Sequence, residues 1–137
     1  MKLTKTLVYQ LSYKVIGAAI NVHKATGPGL LESVYHEFLK HELKLLGLSF
    51  ETEFLVPVSY KGHELKTPLR CDLLIEDLLV VEIKSIDAIL PVHQAQLLTY
   101  MTLLQKPKGL LLNFNVSKIY KEGQKTMVNK IYSVLPD

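Results

Sequence analysis

Three charged residues sit where packing alone gives no reason for a charge. The stretch LLIEDLLVVEIKSI, residues 73–86, is apolar enough for a strand buried in a sheet, yet it holds Glu82 and Lys84, and Asp72 immediately precedes it. Residues two apart on a strand share a face, so Glu82 and Lys84 project together while Ile83 projects away. If Ile75 pairs with Leu79 across a three-residue loop, Asp72 falls opposite Glu82 on that same face. An even loop would send Asp72 to the other side of the sheet.

Two carboxylates that meet in a poorly hydrated place repel each other and lose hydration. A hard divalent cation such as Mg²⁺ or Mn²⁺ removes that penalty, because oxygen ligands are what it prefers. Lys84 cannot ligate a metal while protonated. Beside a bound phosphate it can instead orient an attacking water or stabilise developing negative charge. The plain alternative is a Glu82–Lys84 ion pair on a solvated edge strand, since E-x-K is common on strands.

The surrounding elements must position these groups. Leu11, Val15, Ala18 and Val22 recur at helical spacing, which predicts a first amphipathic helix over residues 5–24. KATGPG, residues 24–29, breaks it. A second helix is expected from near Gly29, with Leu31, Val34, Phe38 and Leu45 on its buried side and Gly47 as its stop. Phe50, Phe54, Val56, Val58 and Tyr60 alternate with Glu51, Glu53 and Ser59, a strand that runs to the turn Lys61-Gly62-His63. Strands follow at about 68–75 and 79–85, around a turn at Glu76-Asp77-Leu78. Pro91 suits the first turn of a third helix ending near Gln105. There His93, Gln96 and Tyr100 form a polar stripe, and Leu97, Met101 and Leu104 an inward one. GLLLNF, residues 109–114, reads as a buried strand, and residues 117–134 add a hairpin-like segment. The order ααβββαβ, with helices for both faces of a small sheet, is an α/β or α+β sandwich.

Composition sets bounds on function. At 137 residues the chain is most economically a single domain with a real core. No run of about 18 uncharged apolar residues occurs, so no membrane span is expected. MKLTKTLVYQLSYKVIGAAI faintly imitates a signal peptide, but Gln10, Ser12, Tyr13 and Lys14 interrupt any apolar core. The lone cysteine, Cys71, excludes an internal disulfide and suits a reducing cytoplasm. A net charge of +3 is compatible with a nucleic-acid partner without requiring one.

Taken together, these residues resemble the PD-(D/E)XK nuclease superfamily, and within it the small GxxExxY family. GLLESVY, residues 29–35, matches the naming motif through Gly29, Glu32 and Tyr35. RCDLLIED followed by VVEIK supplies Asp72, Glu82 and Lys84, and HQAQLLTY supplies Gln96 and Tyr100 of a Q-x-x-x-Y element. LLLNFNV is similar to the family's late strand, so the likeness runs from about residue 10 to 130. The resemblance implies a restriction-endonuclease-like core and metal-dependent cleavage of phosphodiesters. It implies that Asp72 and Glu82 hold the metal, that Lys84 serves the water or the phosphate, and that a residue of the preceding helix, Glu32, assists. Cys71 stands where the name-giving Pro would be.

Other residues have competing explanations. Glu32 could cap its helix or serve the metal side of the site. HEFLKH, residues 36–41, imitates the zinc motif H-E-x-x-H, but five residues turn about 140° around a helix, so both imidazoles cannot reach one metal. Cys71 alternates away from Asp72 and reads as a small core residue. Tyr35 reads as a packing and hydrogen-bonding group. Gly27-Pro28-Gly29 could hold an anion, but breaking the helix is reason enough for it. The reading that follows is a Mg²⁺- or Mn²⁺-dependent nuclease acting on DNA. Asp72, Glu82 and the Ile83 carbonyl are its metal ligands, Lys84 the base or charge stabiliser, and Gln96 and Tyr100 position substrate or Lys84. The alternative is a catalytically silent module of the same fold that docks nucleic acid or protein. Association of copies of the chain is open under both.

Overall fold

The computed structural model describes residues 2–137. Helix α1 spans Lys5–Thr26 and α2 spans Glu32–Leu45. Strand β1 is Phe50–Val56, the short strands β2 and β3 are Ser59–Tyr60 and His63–Glu64, β4 is Leu69–Ile75 and β5 is Leu79–Lys84. Helix α3 covers Pro91–Leu104, followed by β6 (Lys108–Asn113), a π-helical turn (Ile119–Gly123), β7 (Gln124–Val128) and α4 (Lys130–Ser133). The main sheet has five strands in the order β1-β4-β5-β6-β7. Only the β5–β6 pair is parallel, and α3 is the crossover that a parallel pair requires.

Strand β5 therefore lies in the middle of the sheet, covered on both faces. On one side α1 and α2 bury Val15, Val22, Tyr35 and Leu39 against Leu73, Val81, Ile83 and Leu112. On the other, Leu97, Tyr100 and Met101 of α3 pack on Leu74, Val80 and Leu111. A strand buried on both faces reads as an unbroken apolar run, which is why LLVV precedes the two charges.

Local chemistry sets the element ends. The Thr4 hydroxyl accepts from the Leu7 N–H at 3.0 Å and caps α1, while Gly27 at φ +68° ends it. Pro91 opens α3, and His93 Nδ1 accepts from the Leu90 N–H at 2.8 Å. Between β4 and β5, Glu76 and Asp77 both take positive φ, and the Leu78 N–H reaches the Ile75 carbonyl at 3.0 Å. This type I′ turn brings Ile75 opposite Leu79, the register that a three-residue loop requires.

Four expectations need correction. Helix α2 begins at Glu32, not near Gly29, because Gly27 and Gly29 take left-handed φ values and hold the chain in a loop. Its buried side is Tyr35, Leu39 and Leu43, while Leu31, Phe38 and Leu45 are exposed. The strand expected to reach Tyr60 stops at Val56, and Pro57 precedes the two-residue strands β2 and β3. The hairpin-like tail is in fact one strand, β7, pairing antiparallel with β6, and the four-residue helix α4.

Two glycines give opposite expectations. A Cβ on Gly123 would collide with the Asn113 carbonyl oxygen and with Val116, whereas one on Gly17, inside α1, meets nothing within 4 Å. Gly17→Ala should stabilise the fold by about 0.5–1 kcal/mol, since glycine inside a helix costs that much relative to alanine. Gly123→Ala should destabilise it. Urea titrations of both variants check the signs.

Candidate active site

The β4–β5 backbone ladder runs from Ile75–Leu79 to Leu73–Val81, and beyond it side chains take over. The Asp72 N–H donates to Glu82 Oε2 at 2.7 Å, and the Ile83 N–H donates to Asp72 Oδ2 at 2.7 Å. Each carboxylate thus stands where a main-chain carbonyl of the partner strand would be. On the other flank, Asp72 is skipped in the β1–β4 register, and Glu53, the residue set against it, has φ +49°. Asp72 is unzipped from both neighbours.

This opening also bends the strand. Cys71 packs with Leu74 and Val80 in the cluster under α3, whereas strict alternation would send it with Leu73 to the α1–α2 side. Asp72 lines a cleft of about 280 Å³ with Glu32, Ser33, His36, Glu53 and Ile83. The shared face expected for Asp72 and Glu82 is therefore replaced by a crossing, in which each side chain reaches into the gap between the strands. A separate cavity, about 770 Å³ between Val56, Leu65 and Leu104, contains none of these charged groups.

Electrostatically, the pair is uncomfortable. Glu82 is only 4% exposed; burial first, and then the neighbouring Asp72 charge, push its pKa up to about 8. Burial also raises Asp72, against the Ile83 N–H, which holds it down. Glu32 is raised by burial and by Asp72. No cation lies within 4.0 Å of Asp72 or Glu82 among the described residues, although the Lys84 charge pulls all three carboxyls back toward ionisation. The edge-strand ion pair is excluded: β5 is central, and Lys84 is not within ion-pairing distance of Glu82.

The donor chemistry fits a hard divalent cation. Asp72 and Glu82 each commit one oxygen to an N–H and keep another without a hydrogen bond among the described residues. No three His, Cys, Asp or Glu side chains among them converge on one point, so main-chain carbonyls, water and substrate would complete the shell. That is how Mg²⁺ is commonly held, by one or two carboxylates plus substrate phosphates.

Glu32 reaches the cleft through a clamped loop. The Tyr35 hydroxyl donates to the Gly27 carbonyl at 2.7 Å and accepts from the Leu30 N–H at 3.1 Å. Its ring, fully buried, stacks on Phe114 at 4.5 Å, just past the end of β6. Ser85 Oγ donates to the Leu30 carbonyl at 2.7 Å and joins this loop to the end of β5. Glycine at position 29, with φ +100°, permits the turn, and Glu32 is then the first residue of α2. Glu32 makes no capping hydrogen bond, so the cap role is not used.

On α3, Gln96 Nε2 donates to the Tyr100 hydroxyl at 3.0 Å. Tyr100 faces inward, and burial and the Glu82 charge raise its pKa. The polar stripe is thus split: Gln96 is exposed, Tyr100 is core, and His93 caps the helix. Cys71 is buried and its thiol is pushed up to about 12 by burial and by Glu82, which leaves it inert at neutral pH.

Sequence reasoning missed three residues. His36, dismissed with the zinc motif, lines the cleft with a buried Nε2 that lacks a partner, and its Nδ1 lies 4.0 Å from Glu53. Glu53 looked like the solvent side of an ordinary strand. Asn113, fully buried, grips Ile86 from both sides: Oδ1 accepts its N–H at 3.1 Å and Nδ2 donates to its carbonyl at 3.0 Å. It is paired with Lys84 and fixes the chain that follows it. An amide inside the apolar run GLLLNF was the available signal, of the same kind as the charges in β5.

Comparison with known proteins came out on one side only. The model of the PD-(D/E)XK nuclease superfamily matches residues 9–127, which takes in most of α1, the unzipped hairpin, α3 and most of β7. No curated protein and no solved structure gave a match. The mixed five-stranded sheet flanked by helices is consistent with the restriction-endonuclease-like fold of that superfamily. With so much of its length matched, this chain belongs to the PD-(D/E)XK nuclease superfamily.

Proposed function

We propose that this chain is a single-domain nuclease of the GxxExxY group that hydrolyses phosphodiester bonds in DNA with the help of Mg²⁺ or Mn²⁺. The observation that carries the reading is the Asp72–Glu82 pair at a central hairpin, Glu82 buried and Asp72 half-buried, with no basic side chain within 4.0 Å of either among the described residues. Asp72, Glu82 and the Ile83 carbonyl would hold the ion, which supplies Lewis-acid polarisation of the phosphate and a more acidic water. Lys84, fixed through β6 and the Asn113 clamp on Ile86, contributes a positive charge where negative charge develops. Glu32 adds a carboxylate from the opposite wall of the cleft. Gln96 and the Tyr100 hydroxyl, joined to each other, position substrate or Lys84. A reducing cytoplasm suits the single thiol.

A second reading, the silent module, has one observation in its favour. The two carboxylates also knit the hairpin by accepting N–H bonds, a structural task that needs no metal. Cleavage assays separate the two. Purified protein should cut DNA with Mg²⁺ or Mn²⁺ and stop in excess chelator. Lys84→Ala should lose on the order of 10²-fold or more in turnover, as expected for a charge positioned at a transition state, while DNA binding persists. A Lys84→Ala protein with near-normal turnover would refute the catalytic assignment; no cleavage of any nucleic acid with either metal would favour the module.

The charge pair also makes a stability prediction. Asp72→Asn keeps an acceptor for the Ile83 N–H but removes a partly desolvated negative charge, so the metal-free variant should be as stable as wild type or more stable, by roughly 0.5–2 kcal/mol. Mn²⁺ should raise the wild-type melting temperature by mass action and leave the variant nearly unmoved. Melting curves in chelator and in Mn²⁺ test this; a destabilised variant beside a metal-indifferent wild type would sink the metal site.

The pH dependence follows from Glu82. Its folded pKa, about 8, lies above its ordinary value of 4.5, so between these values the folded protein holds a proton that the unfolded chain has lost. That contribution is complete below pH 4.5 and is lost as pH rises through 8. Glu82→Gln should flatten the decline in the metal-free protein, measured by urea unfolding across that window. An equal slope in both proteins would refute the assignment.

A further inference from the structure

A second buried charge lies at the other end of the sheet. Lys108 opens β6 opposite Leu79, while Asn113 closes it opposite Lys84. Five residue steps along the strand separate the two ends by roughly 16 Å, at about 3.3 Å per residue. Lys108 is 5% exposed, and its ammonium has one hydrogen-bond partner among the described residues, the Ser12 hydroxyl at 2.9 Å. The Ser12 proton is itself spent on the Tyr9 carbonyl at 2.9 Å, so Ser12 serves Lys108 only as an acceptor. Two ammonium N–H groups remain without an acceptor among the described residues.

No carboxylate lies within 4.0 Å of that ammonium among the described residues. The rings of Tyr9 and Tyr132, at 5.6 and 5.8 Å, give it only weak cation–π compensation. Burying a cation without a counter-ion is costly, and burial alone accounts for the lowered pKa of Lys108. The catalytic hairpin makes no use of this residue.

Lys108 lines a cavity of about 510 Å³ with Tyr9, Ser12, Gly17, Tyr120 and Thr126, and among the described residues it is the only charged one in the wall. That volume is within the range of small-molecule sites. Gly17 is a second sign. Glycine inside a helix is unfavourable, and a Cβ there would touch nothing, so packing does not explain it. Any larger side chain at this position would intrude on the cavity.

We propose that this cavity binds a small monoanion, a carboxylate carried on a flat apolar body, with the Lys108 ammonium on the carboxylate and the tyrosine-lined wall around the body. One buried positive charge balances one negative charge. A phosphate monoester brings close to two, and the wall has no second cation for it among the described residues.

The test uses the full chain and 2-naphthoate as probe, titrated calorimetrically beside its neutral methyl ester and inorganic phosphate. The acid should bind with a Kd on the order of 0.1–1 mM, as ordinary ligand efficiency gives for a ligand of about a dozen heavy atoms. Ester and phosphate should bind at least tenfold more weakly. Lys108→Met, apolar and of similar length, should weaken the acid at least tenfold. Gly17→Phe, which leaves the charge in place and fills the space, should abolish binding, and it decides the matter if Lys108→Met does not fold. Absence of saturable binding by the acid overturns the proposal, as does ester or phosphate binding as tightly, or either folded variant binding like wild type.

Discussion

Two carboxylates stand in for main-chain carbonyls where the β4–β5 ladder opens, and much of the molecule is arranged around that substitution. Buried N–H groups must find acceptors, so a ladder that parts at Asp72 and Ile83 would leave unmet donors. The Glu82 and Asp72 side chains meet them, but they bring two charges into a covered hairpin. Hydrogen bonding favours the charged forms and burial opposes them; for Glu82, burial wins. The sheet holds this arrangement in place because β5 is flanked by β4 and β6 and covered by helices on both faces.

The groups that meet at this gap come from distant parts of the chain, and each is tied down by neighbours that perform no chemistry. Tyr35 holds the glycine loop that presents Glu32, and its ring leans on Phe114. Asn113, next to Phe114 in sequence, holds Ile86 and thereby the chain after Lys84. The end of β6 thus braces both walls of the cleft. The Gly and Tyr of the 29–35 motif serve geometry, and the Glu between them is left facing Asp72.

The hairpin was the most legible part of the sequence. A three-residue loop and strict alternation locate Asp72 against Glu82, and the apolar run marks β5 as buried. The bend at Asp72 was not legible, because alternation assumes an unbroken ladder, and the left-handed φ of Glu53 has no signature in a residue type that rarely adopts it. The role of Tyr35 was legible, since a phenol that packs and hydrogen-bonds is what the structure holds there, but the apolar residues around it point to the wrong side of α2. Leu31, Phe38 and Leu45 are apolar yet exposed, and composition alone does not separate such residues from core. Tyr100 was placed on a polar stripe for the converse reason: a phenol can bury its ring and still hydrogen-bond through its rim.

The excursion between β1 and β4 has an evolutionary consequence. Residues 59–68 are exposed throughout, and on either side the β1–β4 pairing closes without them at Val56 and Leu69. Six residue pairs already fix where Asp72 sits, so the excursion carries none of that burden. Descendants of this chain can lengthen, shorten or exchange it while the hairpin keeps its alignment. It is the segment on which selection can try new surfaces at little cost to the chemistry.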